Sequence, residues 1–289
     1  MSPSNGIPQL TVSVVVYHLD LPVLRQCLQS LLLSVQYAAS QHKLSRLDLH
    51  VVDNGDNADA LRSLLTELEL DDATVKSVAH LYLAQGNIGF GNAHNLVIHQ
   101  SAEQLETPAD NDLYLILNPD VFLEQNTLAE GIDWLSQHAE SVAVAPSIKD
   151  GNGGTASACK RYPSVLDFLL RGFAPAPLKK LFRRRLSRYD MEDLPRDRPT
   201  PDIPVISGCF MLFRHIALMQ LQGFDPRYFL YFEDFDLAIR AHRLGTVTYL
   251  PSMVITHLGG NSARKGLRHI GMFVRSGVYF FSTHGWRWT

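Results

Sequence analysis

The feature that most constrains the fold is a regular alternation of strand-like and helix-like segments over the first half of the 289-residue chain. The strand-like segments are rich in β-branched and aliphatic residues, and they span residues 10–18, 47–55, 78–84 and 112–120. Segments with helical spacing separate them, at residues 21–40, 58–68 and 92–105. This order predicts an α/β fold with a mostly parallel, Rossmann-like sheet flanked by helices.

The second half of the chain has a different character. A glycine-rich loop at 150–157 and a basic block at 179–189 precede two further strand-like segments, at 205–214 and 247–257. The basic block is most simply a solvated surface helix, although it could also contact phosphates or an anionic membrane. We therefore expect one domain with two halves, residues 1–148 and residues 149–289.

Composition excludes several classes of protein. A formal net charge of −3 gives no general attraction to nucleic acid. The cysteines Cys27, Cys159 and Cys209 are far apart, so they indicate neither a zinc site nor a disulfide framework. The first residues lack a basic and apolar leader, and no run approaches about 18 apolar residues. We expect a cytoplasmic protein that is at most peripheral to a membrane.

Polar residues follow three of the predicted strands, where ligands of open α/β sheets bind. These residues are Tyr17, His18, Asp53, Asn54, Asn118 and Asp120. The first strand-to-helix turn contains no glycine, which excludes the usual dinucleotide motif. Glycines occur instead at 86–95, where the main chain could approach a nucleotide or simply turn into a helix.

The tripeptide Asn118-Pro119-Asp120 directly follows a buried strand. A carboxylate at that position can hold Mg²⁺ or Mn²⁺ against a diphosphate, since both ions prefer oxygen ligands. Taken alone, however, the motif is better explained as a turn cap.

Three carboxylates, Glu233, Asp234 and Asp236, lie in an otherwise apolar stretch at 228–240. They could cap a helix, hold a metal or accept a proton. Asp236 fits the first turn of a helix, where it can pair with Arg240 four residues later. The surrounding aromatic residues should raise the pKa of Asp234 and make it a better proton acceptor.

Taken together, the motifs resemble those of the family-2 inverting glycosyltransferases of the GT-A fold, particularly their rhamnosyltransferase-like branch. The matching motifs are VSVVVYH, VVDNGDN, GNIGFGNAHN, LILNPDVFL, SGCFMLFR, GFDPRYFLYFEDFDLAIR and THLGGNSAR, in that order. The resemblance implies a single GT-A domain. Residues 1–148 would bind the nucleotide sugar, and residues 149–289 would bind the acceptor and carry out catalysis.

The resemblance also implies roles for individual residues. Asp234 matches the catalytic base, and Glu233 would contact acceptor hydroxyls or orient the loop. Asp120 matches the last acid of the metal-binding D-x-D motif, with Asn118 at its first position, and His257 matches a further metal ligand. The nucleotide-binding residues would be Tyr17, His18, Asp53, Asn54, Gly86, Asn87, Gly89, Asn95 and Asn118, with Asp53 at the nucleobase. Phosphate or acceptor contacts would come from Arg161, Gly208 and Arg264.

The function implied is metal-dependent transfer of L-rhamnose from dTDP-β-L-rhamnose, with Mg²⁺ or Mn²⁺ as cofactor. The acceptor would be a saccharide or a lipid-linked saccharide in cell-surface polysaccharide or lipopolysaccharide synthesis. The basic block or the C-terminal residues Trp286 and Trp288 could contact the membrane. A UDP-hexose donor stays open, because an aspartate can pair with uracil or thymine. A non-catalytic nucleotide-sugar-binding protein and a scaffold protein are further alternatives.

Overall fold

The computed structural model describes residues 6–68, 70, 74–104, 109–151, 154–259 and 267–289. The strands are β1 (Gln9–Val16), β2 (Arg46–Asp53), β3 (Lys76–Tyr82), β4 (Leu113–Leu117), β5 (Val121–Leu123), β6 (Ser141–Asp150), β7 (Thr155–Ala156), β8 (Cys159–Lys160), β9 (Val205–Ile206), β10 (Phe210–Arg214) and β11 (Thr246–His257). The helices are α1 (Leu21–Ser40), α2 (Ala58–Glu67), α3 (Phe90–Gln104), α4 (Thr127–Gln137), α5 (Val165–Phe173), α6 (Ala176–Leu181), α7 (Arg183–Tyr189), α8 (His215–Gln220), α9 (Glu233–Ala241) and α10 (Leu267–His284).

The large sheet confirms the predicted α/β fold. Within the described ranges it has nine strands in the order β3-β2-β1-β4-β10-β6-β11-β5, with β7 paired to β6. β1 is parallel to both β2 and β4, and β2 is parallel to β3. The helices α1 to α3 connect these strands, as expected, because parallel neighbours require long crossover connections. Helix α1 has the predicted bounds, and its N-cap is Asp20, whose carboxylate accepts the Val23 N–H.

The second half of the sheet is mixed, whereas the sequence predicted mostly parallel strands. β11 is parallel to β6, but β10 is antiparallel to both β4 and β6. β10 starts at the edge where β6 ends, so it runs back through the sheet in the opposite direction. This reversal brings the residues just before β10 next to the end of β4.

The prediction of one strand over 205–214 was wrong. Val205 and Ile206 form β9, which pairs with β8 in a separate two-stranded sheet. The Ser207 N–H donates to the Ala158 carbonyl, and β10 begins only at Phe210. The turn between the two strands contains Gly208 and lies at the edge of the large sheet.

An aromatic cluster joins the last part of the chain to the segment before α9. Its buried members are Tyr228, Phe232, Phe280 and Phe281. α5 packs against α10 through Phe168 and Phe273, whose stacked ring centroids are 4.5 Å apart. The basic block is helical, as predicted, in α6 and α7.

β6 crosses residue 148, so both predicted halves contribute to one sheet, and the division between them stays a prediction. Within the ranges given above, we find no helix with both the length and the apolar character required to cross a membrane.

Candidate active site

The ends of β4 and β11 and the turn before β10 meet at one edge of the sheet. The Asn118 N–H donates to the Cys209 carbonyl at 2.9 Å. His257 is paired with Val121 in the antiparallel ladder of β11 and β5, which places its ring beside Asp120. His257 Nε2 lies 3.3 Å from Asp120 Oδ1. The structure therefore brings together the two residues that were predicted to bind a metal.

The Asp120–His257 pair is electrostatically coupled. Burial alone lowers the pKa of His257, but its interactions with Asp120 and Cys209 outweigh burial and raise the pKa to about 10. Asp120 therefore favours positive charge at this position, whether a proton or a cation supplies it. In the part of the chain that the structure describes, no three His, Cys, Asp or Glu side chains cluster as a metal site. The protein thus offers one carboxylate and one imidazole here.

A cavity of about 210 Å³ lies beside this edge. Its lining includes four of the predicted nucleotide-binding residues, Tyr17, Asn54, Asn87 and Gly89. The aromatic residues Phe90 and Phe229 also line it. Its volume is below the roughly 300–1,000 Å³ usual for pockets that enclose a whole drug-sized ligand. The cavity therefore suits one part of a nucleotide, such as the base.

Asn54 has an unused hydrogen-bonding atom in this cavity. Its Nδ2 donates to the Gly89 carbonyl at 3.0 Å, while its buried Oδ1 has no partner among the residues that the structure describes. The neighbouring Asp53 is also buried, but its carboxylate accepts three hydrogen bonds from Gly55 and Asn57 in its own turn. Asn54 therefore has a buried, unsatisfied acceptor next to the cavity, whereas the Asp53 carboxylate stabilises the turn.

The glycine-rich loop packs directly on the segment before α9. Gly89 has φ +93°, and a Cβ there would lie 2.4 Å from the Phe229 carbonyl oxygen. The Phe90 N–H donates to that same carbonyl at 3.1 Å. Both the left-handed backbone and the close approach require glycine at this position. The glycine-rich loop is thus fixed against the acidic motif.

The other predicted contact residues lie in different surroundings. His18 is exposed, and its ring centroid is 4.1 Å from that of Tyr17. Gly86 occupies an open turn with φ +62°. Asn95 is buried and exchanges two hydrogen bonds with the main chain of Phe224. Arg161 forms a bidentate pair with Asp193.

Two predicted contacts remain. The Gly208 N–H donates to Asp234 Oδ2 at 2.9 Å, so Gly208 orients the candidate base. Arg264 lies outside the described residues.

Asp234 lies in the first turn of α9 and is half-buried. Besides the Gly208 bond, its Oδ1 accepts the Phe235 N–H at 3.0 Å. Burial raises the pKa of Asp234, and these main-chain hydrogen bonds partly oppose the rise. The result is a carboxylate with a fixed orientation and increased basicity, as the sequence predicted.

Glu233 differs from its neighbour. It is only 4% exposed, and its Oε2 has no hydrogen-bond partner among the described residues. Burial, followed by the charge of Asp234, raises the pKa of Glu233 well above its ordinary value. Burial therefore opposes ionisation more strongly at Glu233 than at Asp234. This burial favours the second role predicted for Glu233, orientation of the loop.

The two residues before the acidic pair have left-handed backbones, with φ +72° at Tyr231 and +68° at Phe232. Such a conformation costs a non-glycine residue on the order of 1–2 kcal/mol. Contacts between Phe232 and the rings of Phe168, Phe273 and Phe280 hold it in place. Sequence reasoning missed this feature, because left-handed residues are usually glycine or asparagine.

Asp236 anchors α9 to its surroundings. It is 1% exposed and accepts hydrogen bonds from Arg240 Nε and His284 Nε2, both at 2.7 Å. Arg240 also donates to the carbonyls of Leu221 and Gly223. The predicted Asp236–Arg240 pair is confirmed, while the link to His284 at the end of α10 was not predicted.

Comparison with known proteins gives three similarities. The chain is 31% identical over 218 residues to the N-acetylglucosaminyl-diphospho-decaprenol L-rhamnosyltransferase of Mycobacterium tuberculosis, covering 70% of this chain and 69% of that protein. It is 24% identical over 185 residues to rhamnosyltransferase WbbL of Escherichia coli, covering 63% and 66%. The structure of GalNAc-T7 with UDP, GalNAc and Mn²⁺ matches with a TM-score of 0.59 at 13% identity. That match covers 97% of this chain and 51% of GalNAc-T7. No protein-family model matches the chain.

Proposed function

We propose a donor, an acceptor and a mechanism from one premise: the chain belongs to the rhamnosyltransferase-like branch of the family-2 GT-A glycosyltransferases. The donor is dTDP-β-L-rhamnose, and the acceptor is a saccharide carried on a lipid diphosphate. The names of the two related rhamnosyltransferases support the sugar, and the name of the mycobacterial one supports the acceptor. Family membership favours sugar transfer over the two non-catalytic alternatives.

One geometric observation carries the proposal. Consecutive residues of the turn before β10 contact both parts of the site: Gly208 donates to Asp234, and Cys209 accepts from Asn118. The candidate base is therefore fixed relative to the Asn118–Asp120 motif. Such an arrangement fits a reaction that needs a base near the anomeric carbon and positive charge near the leaving diphosphate.

In the proposed reaction, an acceptor hydroxyl attacks the anomeric carbon of rhamnose from the face opposite dTDP. The new C1–O bond forms as the bond from C1 to the diphosphate oxygen breaks, and inversion follows. Asp234 takes the proton of the attacking hydroxyl, and its raised pKa makes it a more effective base. Because burial opposes ionisation more strongly at Glu233, we assign this step to Asp234.

Asp120 and His257 fit a divalent cation. Mg²⁺ and Mn²⁺ are commonly bound by one or two protein ligands and by phosphate oxygens of the substrate, so two protein donors are enough. Such an ion, when bound, neutralises charge that develops on the leaving diphosphate. The Mn²⁺ in the GalNAc-T7 structure supports this proposal. Because position 118 is an asparagine, Asp120 is the single carboxylate of the Asn118-Pro119-Asp120 motif.

Asn54 is the residue we propose to recognise the nucleobase. Thymine and uracil carry an N3–H donor, which can satisfy the unpartnered Asn54 Oδ1. Cytosine has an acceptor at N3, so its binding would leave Asn54 unsatisfied. An unsatisfied buried acceptor costs about 1–3 kcal/mol, which corresponds to a preference of about 5- to 150-fold.

Titration calorimetry with dTDP and dCDP tests this assignment, because the two nucleotides differ only in the base. We expect dTDP to bind at least about fivefold more tightly than dCDP in the presence of Mn²⁺. A chelator, which removes Mn²⁺, should weaken the binding of both nucleotides. UDP and UDP-glucose test the alternative donor class. Equal affinities for dTDP and dCDP would rule out the proposed role of Asn54.

We also propose that the protein contacts an anionic membrane surface through α5, α6, α10 and the C-terminal residues. α5 packs against α6, and its Phe168 stacks on Phe273 of α10. Exposed apolar side chains occur on all of these elements: Leu169, Phe173, Leu178, Leu181, Ile270, Val274, Val278, Trp286 and Trp288. The adjoining basic residues of α6 and α7 complement the charge of anionic lipids.

Flotation with vesicles tests the membrane proposal. We expect recovery with vesicles that contain phosphatidylglycerol, and less recovery with pure phosphatidylcholine or at high salt. Leu181 is 77% exposed, so Leu181→Glu should weaken vesicle binding by about tenfold or more. Leu33→Glu is the matched control, since Leu33 is 56% exposed on α1. Equal recovery of both variants would contradict the assigned surface.

A further inference from the structure

The described residues enclose a second cavity, of about 510 Å³. The cavity is lined by five arginines, Arg161, Arg184, Arg185, Arg188 and Arg287. The side chains of Tyr162 and Tyr189 also line it. They come from the loop before α5, from α7 and from the C-terminal residues. The proposed reaction mechanism does not use any of them.

Two of these arginines are neutralised within the protein. Arg185 pairs with Asp167 at 2.6 Å, and Arg161 pairs with Asp193 at 2.8 Å. Both pairs hold their guanidinium groups in fixed positions at the cavity. Such groups can still donate from their remaining N–H bonds, since each guanidinium has five.

The other three arginines give the cavity an excess of positive charge. Arg184 and Arg188 are exposed and form no ion pair or side-chain hydrogen bond with a described residue. Arg287 lies over the ring of Tyr162, 3.8 Å from its centroid. A terminal carboxylate at Thr289, which also lines the cavity, would still leave two excess charges. The chemistry that fits is a multiply charged anion with several oxygen acceptors, such as a diphosphate.

The cavity is structurally linked to the candidate base. Cys159 pairs with Ile206 in the small sheet. Two residues after Ile206, Gly208 donates its N–H to Asp234. Arg161 follows Cys159 by two residues and lines the cavity. At the other side, α5 starts at the cavity with Ser164, and its Phe168 contacts Phe232 just before the acidic pair.

From this placement we infer that the arginine cavity binds the diphosphate of the lipid-linked acceptor. The inference rests on the proposed transfer to such an acceptor. A diphosphate on the acceptor sugar lies about one sugar ring from the reacting hydroxyl, so its site must be near the base but separate from the donor cavity. Trp286 and Trp288 flank Arg287 and belong to the proposed membrane surface, where the lipid chain would remain.

Direct binding is the first test, with the donor site saturated by dTDP and Mn²⁺. Calorimetry should show that farnesyl diphosphate binds at least about tenfold more tightly than farnesyl phosphate. Arg184→Ala and Arg188→Ala should each weaken farnesyl diphosphate binding by about 10-fold or more. Arg183→Ala is the matched control, because Arg183 is an exposed α7 residue that does not line the cavity.

Three binding results would overturn the inference: no binding of farnesyl diphosphate, equal effects of the Arg183 and Arg184 substitutions, or equal affinity for inorganic pyrophosphate. The last would show that the cavity recognises a free anion without the lipid.

Transfer kinetics separate this inference from the proposed function. With a lipid-diphosphate acceptor, Arg184→Ala and Arg188→Ala should raise the acceptor KM by about 10-fold or more and change kcat little. With the same saccharide on a neutral octyl group, they should have no effect. If the wild type transfers sugar and the variants behave normally with both acceptors, the inference fails and the function stands. If the wild type binds farnesyl diphosphate but transfers no sugar, the function fails.

Discussion

Replacement of Asp234 by asparagine is expected to lower the rate of sugar transfer by about 10²- to 10⁴-fold, the usual contribution of a general base. The amide oxygen can still accept the Gly208 N–H, but the side chain can no longer take a proton from the acceptor. Because Asp234 contacts neither the cavity lined by Asn54 nor the Asp120–His257 pair, donor affinity should stay within about twofold. Initial transfer rates and calorimetry with dTDP-rhamnose measure the two effects separately.

Glu233→Gln provides the comparison for this prediction. Glu233 is buried and its pKa is raised well above its ordinary value, so glutamine resembles its neutral form in charge and shape. We expect this variant to lose far less activity than Asp234→Asn. If Asp234→Asn kept most of its activity while Glu233→Gln lost it, Glu233 and not Asp234 would be the base.

The second large effect concerns stability. Asp236→Ala should lower the free energy of unfolding by about 3–5 kcal/mol, the usual cost of removing one partner of a buried ion pair. The substitution leaves the Arg240 guanidinium and the His284 ring without their shared acceptor. It also disconnects α9 from the end of α10. Urea unfolding followed by circular dichroism measures the change.

Glu124→Ala is the matched control for Asp236→Ala. Glu124 pairs with Lys149, but both side chains are 50% exposed. Loss of an exposed pair should change the free energy of unfolding by less than about 1 kcal/mol. A similar, small change in both variants would show that the Asp236 network does not stabilise the fold.

Local sequence patterns were sufficient for the N-terminal half of the sheet. Strands β1, β2 and β4 are buried on both faces, so their hydrophobic residues are nearly continuous and easy to recognise. The polar residues at the strand ends could also be predicted, since their positions follow from the parallel order. This is how Asn54 and Asp120 were placed at one edge, whereas His257 was assigned from the family resemblance.

Features of the second half of the chain could not be predicted in the same way, because they depend on contacts between distant segments. The left-handed backbone at Tyr231 and Phe232 is maintained by rings from α5 and α10. The raised pKa of Glu233 depends on burial by residues outside its motif. The arginine cavity combines α7 with Arg161 and Arg287, which are 126 positions apart in the sequence. None of these contacts produces a periodic pattern.

The configuration of the product tests the central claim most directly. The wild-type protein would be incubated with Mn²⁺, dTDP-β-L-rhamnose and an N-acetylglucosamine carried on a short lipid diphosphate. The one-bond C1–H1 coupling of the product, measured by NMR, identifies its anomeric configuration. Single displacement with Asp234 as base predicts an α-L-rhamnoside and no β product. A β-L-rhamnoside, or the absence of any rhamnosylated product, would contradict the account.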